Sequence, residues 1–188
     1  ACREKPGDTT KKIGGAADEE DTVESGSVQC ASYSYTAQFE VPVKGKQASV
    51  KIFTDDGSDI SFIYEKTARS LNLVQLGCKT LSVKTINGIK KTRCWLFELP
   101  LITKAGVKKI ICHSVSQPLT SRGSEVDLAT VKKLFPKYRM HNDLQRTKSP
   151  CDVLVGLDNY NLHPTKVLYS KDNLRIESGL LGHTLIGS

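Results

Sequence analysis

Two adjacent aspartates and a glycine interrupt an apolar, strand-like run of the sequence. Asp55, Asp56 and Gly57 follow the run VKIFT, and after Ser58 and Asp59 the apolar run ISFIY begins. The motif can be an ordinary polar surface turn, but surface hairpins usually have more polar flanks than these. The glycine allows a tight turn that would present the carboxylate of Asp55 at the end of a buried strand. The sequence therefore suggests a carboxylate that works in a dry interior.

Such a carboxylate becomes catalytically useful when a second one lies against it. Two facing carboxylates cannot both ionise at low cost, so they share one proton. The ionised group can then take a proton from a water molecule while the protonated group donates one to the substrate. This chemistry hydrolyses a peptide bond without a covalent intermediate. The sequence contains one D-x-G-S motif, so the second carboxylate must come from elsewhere.

Strands are the elements predicted to position this motif. Alternating apolar and polar residues, rich in β-branched and aromatic side chains and separated by glycine-containing turns, predict hairpins. The predicted strands cover residues 35–43, 46–54, 79–86, 89–103 and 107–115, and more follow from Cys151. Two short helices are predicted at residues 65–71 and 125–135. The pattern predicts an all-β protein with one or two short helices.

The chain is expected to contain one domain and a tail. Residues 1–34 are polar and lack periodic apolar residues, which predicts a disordered linker or tail. The domain is predicted to cover residues 35–188, with an insertion at about 116–150 whose role the sequence does not indicate. The whole chain has a net charge of +7, and residues after 30 carry 23 basic and 13 acidic residues, a net +10.

Several classes of function are disfavoured. The chain has no long apolar run and no apolar segment at its start, so we expect no membrane association and an intracellular, cytoplasmic location. The lysines are spread out and are not interleaved with aromatic residues, so nucleic-acid binding is not expected. The six cysteines form no C-x-x-C pair, and Cys112-His113 is expected to be a buried thiol beside a surface imidazole. No metal or other cofactor is expected.

Three features occur in an order that resembles a known family. Asp55-Asp56-Gly57-Ser58 is followed by a candidate hairpin with its tip at Asn87-Gly88, and then by Val153-Leu154-Val155-Gly156. This order resembles the retropepsin-like aspartic peptidases. The runs SFIYEKTARSLNL, DVLVGLDNY and GLLGHTLIGS are similar to the peptidase domain of Pao-type (Bel/Pao) retrotransposon polyproteins in particular. The resemblance implies a closed β-barrel of the acid protease fold, with one lobe per chain.

The resemblance also implies a role for each matching residue. Asp55 would be the catalytic aspartate, Gly57 would let the substrate backbone approach, and Asp59 would bind the substrate main chain. Ser58 would take the small or hydroxyl position beside the active carboxylate. Ile86, Asn87, Gly88 and Ile89 would form the flap, although the same hairpin could equally be an ordinary meander turn. Leu154, Val155 and Gly156 would support the active loop.

A single motif implies a homodimer in which each chain contributes one Asp55. The implied activity is that of an aspartic endopeptidase that cleaves its own polyprotein in assembling retroelement particles. The C-terminal run at 180–187 could pair across the dimer or close its own subunit. Asp56 departs from the family, which usually has Ser or Thr there, with a hydroxyl that hydrogen-bonds across the dimer. An ionised Asp56 can only accept, so two facing Asp56 side chains would repel unless protonated, bonded to backbone N–H groups or turned away. A catalytically inactive dimerisation or peptide-binding module is therefore the alternative.

Overall fold

The structure is a computed structural model that describes residues 35–85, 88–119, 125–146 and 149–188, without the side chains of residues 83–90. The predicted tail at 1–34 lies outside the described residues and stays a prediction. The described part is mostly β-strand with few helices, which confirms the all-β class.

Seven strands form the larger sheet. Their hydrogen-bonded order is β1-β2-β7-β3-β6-β5-β4. The bounds are β1 (Gln38–Pro42), β2 (Ser49–Thr54), β3 (Phe62–Tyr64), β4 (Val74–Thr85), β5 (Gly88–Thr103), β6 (Gly106–Val115) and β7 (Val153–Val155). The predicted strands are confirmed, although β4 begins at Val74 rather than residue 79. A β-bulge between Gln75 and Gly77 breaks the alternation on which that prediction relied.

The short strand β7 lies between two strands that follow each other in sequence. It pairs parallel with β2 and antiparallel with β3. All three of its residues, Val153, Leu154 and Val155, are buried, as expected of a central strand covered on both faces. The chain therefore passes from β2 to β3 through a loop, residues 55–61, that crosses the end of β7.

The larger sheet is not fully closed by strand pairing. Among the described residues the strand order runs from β1 to β4, so the expected closed barrel is not found. One isolated antiparallel bridge joins Val43, just after β1, to Leu101 in β5. The N–H of Lys44 also donates to the carbonyl oxygen of Pro100 at 2.9 Å. These contacts bring the two sides of the sheet together over one common core.

Three C-terminal strands form a second sheet, with the order β10-β9-β8. Its strands are β8 (Lys166–Lys171), β9 (Leu174–Gly179) and β10 (Gly182–Gly187). β10, in the run that could have paired across a dimer, pairs with β9 of its own chain, and Gly187 forms a bridge with Tyr35. Pairing within the subunit is therefore observed for this run.

The predicted insertion packs on this second sheet. It contains helix α2 (Leu128–Leu134), where Val131 is buried, and a short 3₁₀ helix (His141–Leu144). Buried side chains from the insertion form a second hydrophobic core with the sheet and the start of the domain, and they include Val126, Val131, Phe135, Tyr138 and Leu144 packed with Tyr35, Ile176 and Leu185. The described part of the insertion thus covers the C-terminal sheet.

Both predicted helices are confirmed with small changes in their ends. Helix α1 (Glu65–Ser70) matches the prediction within one residue. Helix α2 begins at Leu128 rather than residue 125, because Asp127 is its N-cap and accepts a hydrogen bond from the N–H of Ala129 at 3.0 Å. A further 3₁₀ helix (Leu157–Leu162) follows β7. None of the helices in the described ranges is long and apolar enough to cross a membrane.

Two adjacent isoleucines in β6 provide a matched test of this packing. Ile110 is 2% exposed in the main core, whereas Ile111 is 49% exposed. We expect Ile110→Ala to lower the free energy of unfolding by about 2–5 kcal/mol, because it leaves a cavity. Ile111→Ala should change it by no more than about 0.5 kcal/mol. Urea unfolding measures both, and equal losses would contradict the assigned faces of β6.

Candidate active site

Asp55 lies at the point where β2 ends and the loop to β3 begins. Its N–H donates to the carbonyl oxygen of Val155 in β7 at 3.0 Å, so the start of the loop is fastened to the central strand. Its side chain is partly buried, and Oδ1 accepts the N–H of Gly57 at 2.9 Å. The N–H of Ser58 is 3.3 Å from the carbonyl oxygen of Asp55. The turn predicted from the sequence is therefore present, with the carboxylate of Asp55 held at the sheet end.

Gly156 packs directly under this loop. A Cβ atom at this position would lie 2.6 Å from the carbonyl oxygen of Ile60 and 2.7 Å from that of Ser58. Those are backbone atoms, so no larger side chain fits without moving the loop. The N–H groups of the next two residues, Leu157 and Asp158, donate to the carbonyl oxygens of Ser58 and Asp59 at 2.8 and 3.1 Å. Of the residues predicted as loop support, Val155 and Gly156 contact the loop, whereas Leu154 pairs with Phe53 and Phe62. Their role in supporting an active loop stays a prediction.

A buried serine connects the far end of the loop to the same segment. Ser61 donates its hydroxyl to Asp158 Oδ1 at 2.6 Å, and its N–H donates to Asp158 Oδ2 at 3.0 Å. The hydroxyl oxygen accepts the N–H of Gly156 at 3.1 Å and the side-chain amide of Asn159 at 3.0 Å. This cluster was not predicted from the sequence, although the polar pair Asp158-Asn159, which follows the apolar run VLVGL, was a signal that could have indicated it.

Asp56 bonds to a histidine of its own chain. Asp56 Oδ1 lies 2.8 Å from His163 Nδ1, and His163 Nε2 lies 3.1 Å from the carbonyl oxygen of Gly156. The side chain of His163 is 3% exposed and that of Asp56 is 85% exposed. None of the arrangements considered for Asp56 from the sequence included a histidine, because His163 follows Gly156 by seven residues and nothing local connects it with the motif.

The other two loop residues occupy different environments. Ser58 is partly buried and donates its hydroxyl to the carbonyl oxygen of Ile60 at 2.8 Å, so it stabilises the turn itself. Asp59 is exposed. A cavity of about 440 Å³ adjoins the loop, and its lining includes Asp55, Asp56, Tyr160, His163, Arg175 and Glu177.

Only part of the predicted flap can be located. Ile86 and Asn87 lie outside the described residues. The backbones of Gly88 and Ile89 begin β5 and pair with Thr85 and Lys84 of β4. β4 and β5 pair antiparallel over most of their length, and the last described pair is Thr85 with Gly88. Contact between this tip and Asp55 stays a prediction.

The Cys112-His113 pair differs from the expectation. Cys112 is fully buried, as expected, and burial raises the pKa of its thiol far above the ordinary value. His113, expected at the surface, is also buried, and its ring contacts that of Phe62 with the centroids 6.2 Å apart. The prediction failed because β6 lies inside the sheet next to β3. Among the described residues there is no cluster of three or more potential metal ligands.

Comparison with known proteins adds no assignment. No protein-family model matches the chain, and no curated protein is significantly similar to it. Interpretation of the site therefore depends on its residues and geometry.

The contact under the loop can be tested with two glycine variants. Gly156→Ala should lower the free energy of unfolding by about 1–3 kcal/mol, because its Cβ would overlap two backbone carbonyl groups. Gly57→Ala should lower the free energy of unfolding by less, since its Cβ would contact only the side chain of Asp55, at 3.2 Å. Thermal and urea unfolding give both values. A larger loss for Gly57→Ala than for Gly156→Ala would contradict this arrangement of the loop.

Proposed function

We propose that this chain is one subunit of a homodimeric aspartic endopeptidase of the retropepsin type, which cleaves the retrotransposon polyprotein that contains it. The observation that carries the proposal is the position of Asp55, at the end of β2 and hydrogen-bonded through its N–H to β7, in a turn that packs on Gly156. The resemblance to Pao-type peptidases also supports it. The finer fold assignment, a barrel of the acid protease type with one lobe per chain, belongs to the same proposal and is supported by the bridge between Val43 and Leu101.

In this proposal two Asp55 carboxyl groups meet on the twofold axis of the dimer and share one proton. The ionised carboxylate takes a proton from a bound water molecule, and the oxygen of that water attacks the scissile carbonyl carbon. The other carboxyl group donates its proton to the carbonyl oxygen. When the tetrahedral intermediate breaks down, the carboxyl group that took the proton of the water donates it to the leaving nitrogen. The other carboxylate takes a proton from a hydroxyl group of the intermediate, so the pair again holds one shared proton.

The substrate is proposed to bind as an extended strand between the active loops and the two flap hairpins. Main-chain hydrogen bonds to a strand edge would provide affinity without a strict sequence requirement. Asp59 is exposed beside the loop and has the acceptor oxygens to bind substrate N–H groups. The substrate class is therefore an unfolded or extended segment of polypeptide.

The second candidate is an inactive module with the same fold that dimerises or binds peptides. The observation that favours it is the carboxylate of Asp56, which replaces a hydroxyl and is bonded to His163 within its own chain. A polyprotein precursor incubated at high protein concentration and mildly acidic pH separates the two candidates, since only the first produces cleavage.

Replacement of the catalytic carboxylate is the most direct test. Asp55→Asn should abolish cleavage of the precursor while the protein remains folded, because an amide cannot accept the proton of the water. Asp172→Asn is the matched control, since Asp172 is exposed in the β8–β9 turn at φ 50°, a conformation that Asn also adopts readily. Mass spectrometry of the products measures cleavage. Undiminished cleavage by Asp55→Asn would exclude this residue as the catalytic group.

Self-association provides an independent test of the shared site. Two facing Asp55 groups keep a proton that separated chains release, so the dimer binds more protons than two monomers. A state that binds more protons is favoured as pH falls, so the dimer fraction should increase from neutral to mildly acidic pH. Sedimentation velocity at a fixed concentration measures this fraction. A fraction that is flat, or that increases towards alkaline pH, would argue against carboxylates that face each other across the axis.

A further inference from the structure

His163 has hydrogen-bond acceptors at both ring nitrogens. Nδ1 faces the carboxylate of Asp56 at 2.8 Å, and Nε2 faces the carbonyl oxygen of Gly156 at 3.1 Å. A neutral imidazole carries a proton on only one nitrogen, and neither an ionised carboxylate nor a carbonyl oxygen can donate. With Asp56 ionised, both contacts are hydrogen bonds only if the ring carries two protons and a positive charge. The geometry therefore indicates an imidazolium paired with a carboxylate.

The backbone around His163 holds the ring in this place. The N–H of His163 donates to the carbonyl oxygen of Tyr160 at 2.9 Å, which ends the 3₁₀ helix after β7. The carbonyl oxygen of His163 packs closely on Gly179 of β9, where a Cβ would lie only 2.9 Å from it. The ring of Tyr160 lies 5.5 Å from the His163 ring, centroid to centroid. The imidazole therefore has little freedom to turn away from Asp56.

We propose that His163 is a positioning residue of the active loop, whose imidazolium ties the carboxylate of Asp56 to the carbonyl oxygen of Gly156 in the same chain. This inference rests on the proposed peptidase function. These two hydrogen bonds hold Asp56, the residue next to Asp55, against the segment that supports the loop. The imidazolium also places a positive charge beside Asp56, so that the two Asp56 groups of a dimer repel each other less. An ion pair within each chain thus replaces the hydroxyl contact expected between chains.

The surrounding charges are compatible with a charged ring. Asp55 and Asp56 line the same cavity as His163, and β9 contributes Arg175 and Glu177. Arg175 Nε lies 3.4 Å from Glu177 Oε1, so the positive charge of the arginine is partly offset by its neighbour.

The number of ring protons on His163 can be measured directly. Nitrogen-15 NMR of histidine-labelled protein should show two protonated ring nitrogens for His163 in the wild type, with the signal assigned by its loss in His163→Gln. The Asp56→Asn variant should show one protonated ring nitrogen on His163 at the same pH. The Asn amide can donate to Nδ1, while Nε2 still donates to the carbonyl oxygen of Gly156. Burial lowers the pKa of His183, so its ring signals are compared with those of His163 in the same spectrum. One ring proton on wild-type His163, or no change in Asp56→Asn, would overturn the proposal.

The positioning role is tested separately by measuring kcat/KM in a variant of His163 and its recovery in a double variant. His163→Gln has one amide and cannot donate to both acceptors, so we expect kcat/KM to fall about tenfold or more. In His163→Gln/Asp56→Asn the Gln oxygen can accept from the Asn amide and the Gln nitrogen can donate to Gly156, so part of the activity should return. A general structural role predicts no such rescue, and an unchanged kcat/KM in His163→Gln would also refute the positioning role.

Failure of this inference differs from failure of the proposed function. Asp55→Asn should be inactive and still show two ring protons on His163, because its change lies outside the Asp56–His163 pair. If the wild type does not cleave its precursor yet has a doubly protonated His163, the ion pair stands and the peptidase proposal fails. If the wild type is active with a singly protonated His163, the peptidase proposal stands and this inference fails.

Discussion

The position of β7 between β2 and β3 is the constraint on which the candidate site depends. Its residues are apolar and buried, because the strand is covered on both faces. Directly after it, Gly156 lies so close to the carbonyl oxygens of Ser58 and Ile60 that only a hydrogen atom fits in place of a side chain. Since the N–H of Asp55 donates to Val155, the position of the carboxylate follows from the position of this strand.

Hydrogen bonds of polar side chains also hold the loop between β2 and β3 in place. Ser61 and Asp158 connect the end of the loop to the segment after β7, and His163 connects its middle to Gly156. Among the described residues, no buried side-chain nitrogen or oxygen atom lacks a hydrogen-bond partner. A buried network whose members are all satisfied specifies one arrangement more strictly than apolar packing does. The loop is therefore located at its start, middle and end by independent contacts.

The sequence predicted those features that depend on neighbouring residues. Alternation indicated the strands β1, β2 and β4 to β6, and the Asp-Asp-Gly spacing indicated the turn at Asp55. It did not predict that β7 separates β2 from β3, or that His163 reaches Asp56, because both result from residues about one hundred positions apart. The surface location expected for His113 was also wrong, since its burial follows from the pairing of β6 with β3, a contact between residues distant in the sequence.

The distance along the chain between these partners has a consequence for folding. The N–H of Lys51, at the start of the segment leading to Asp55, donates to the side chain of Asp152, 101 residues later. Closing a loop of that length costs conformational entropy before any contact compensates for it, and sheets with such distant pairings form slowly. During synthesis the Asp55 turn therefore has no bracing strand until most of the domain has been made. A ribosome-bound fragment that ends before β7 would contain the carboxylate without the geometry that gives it a function.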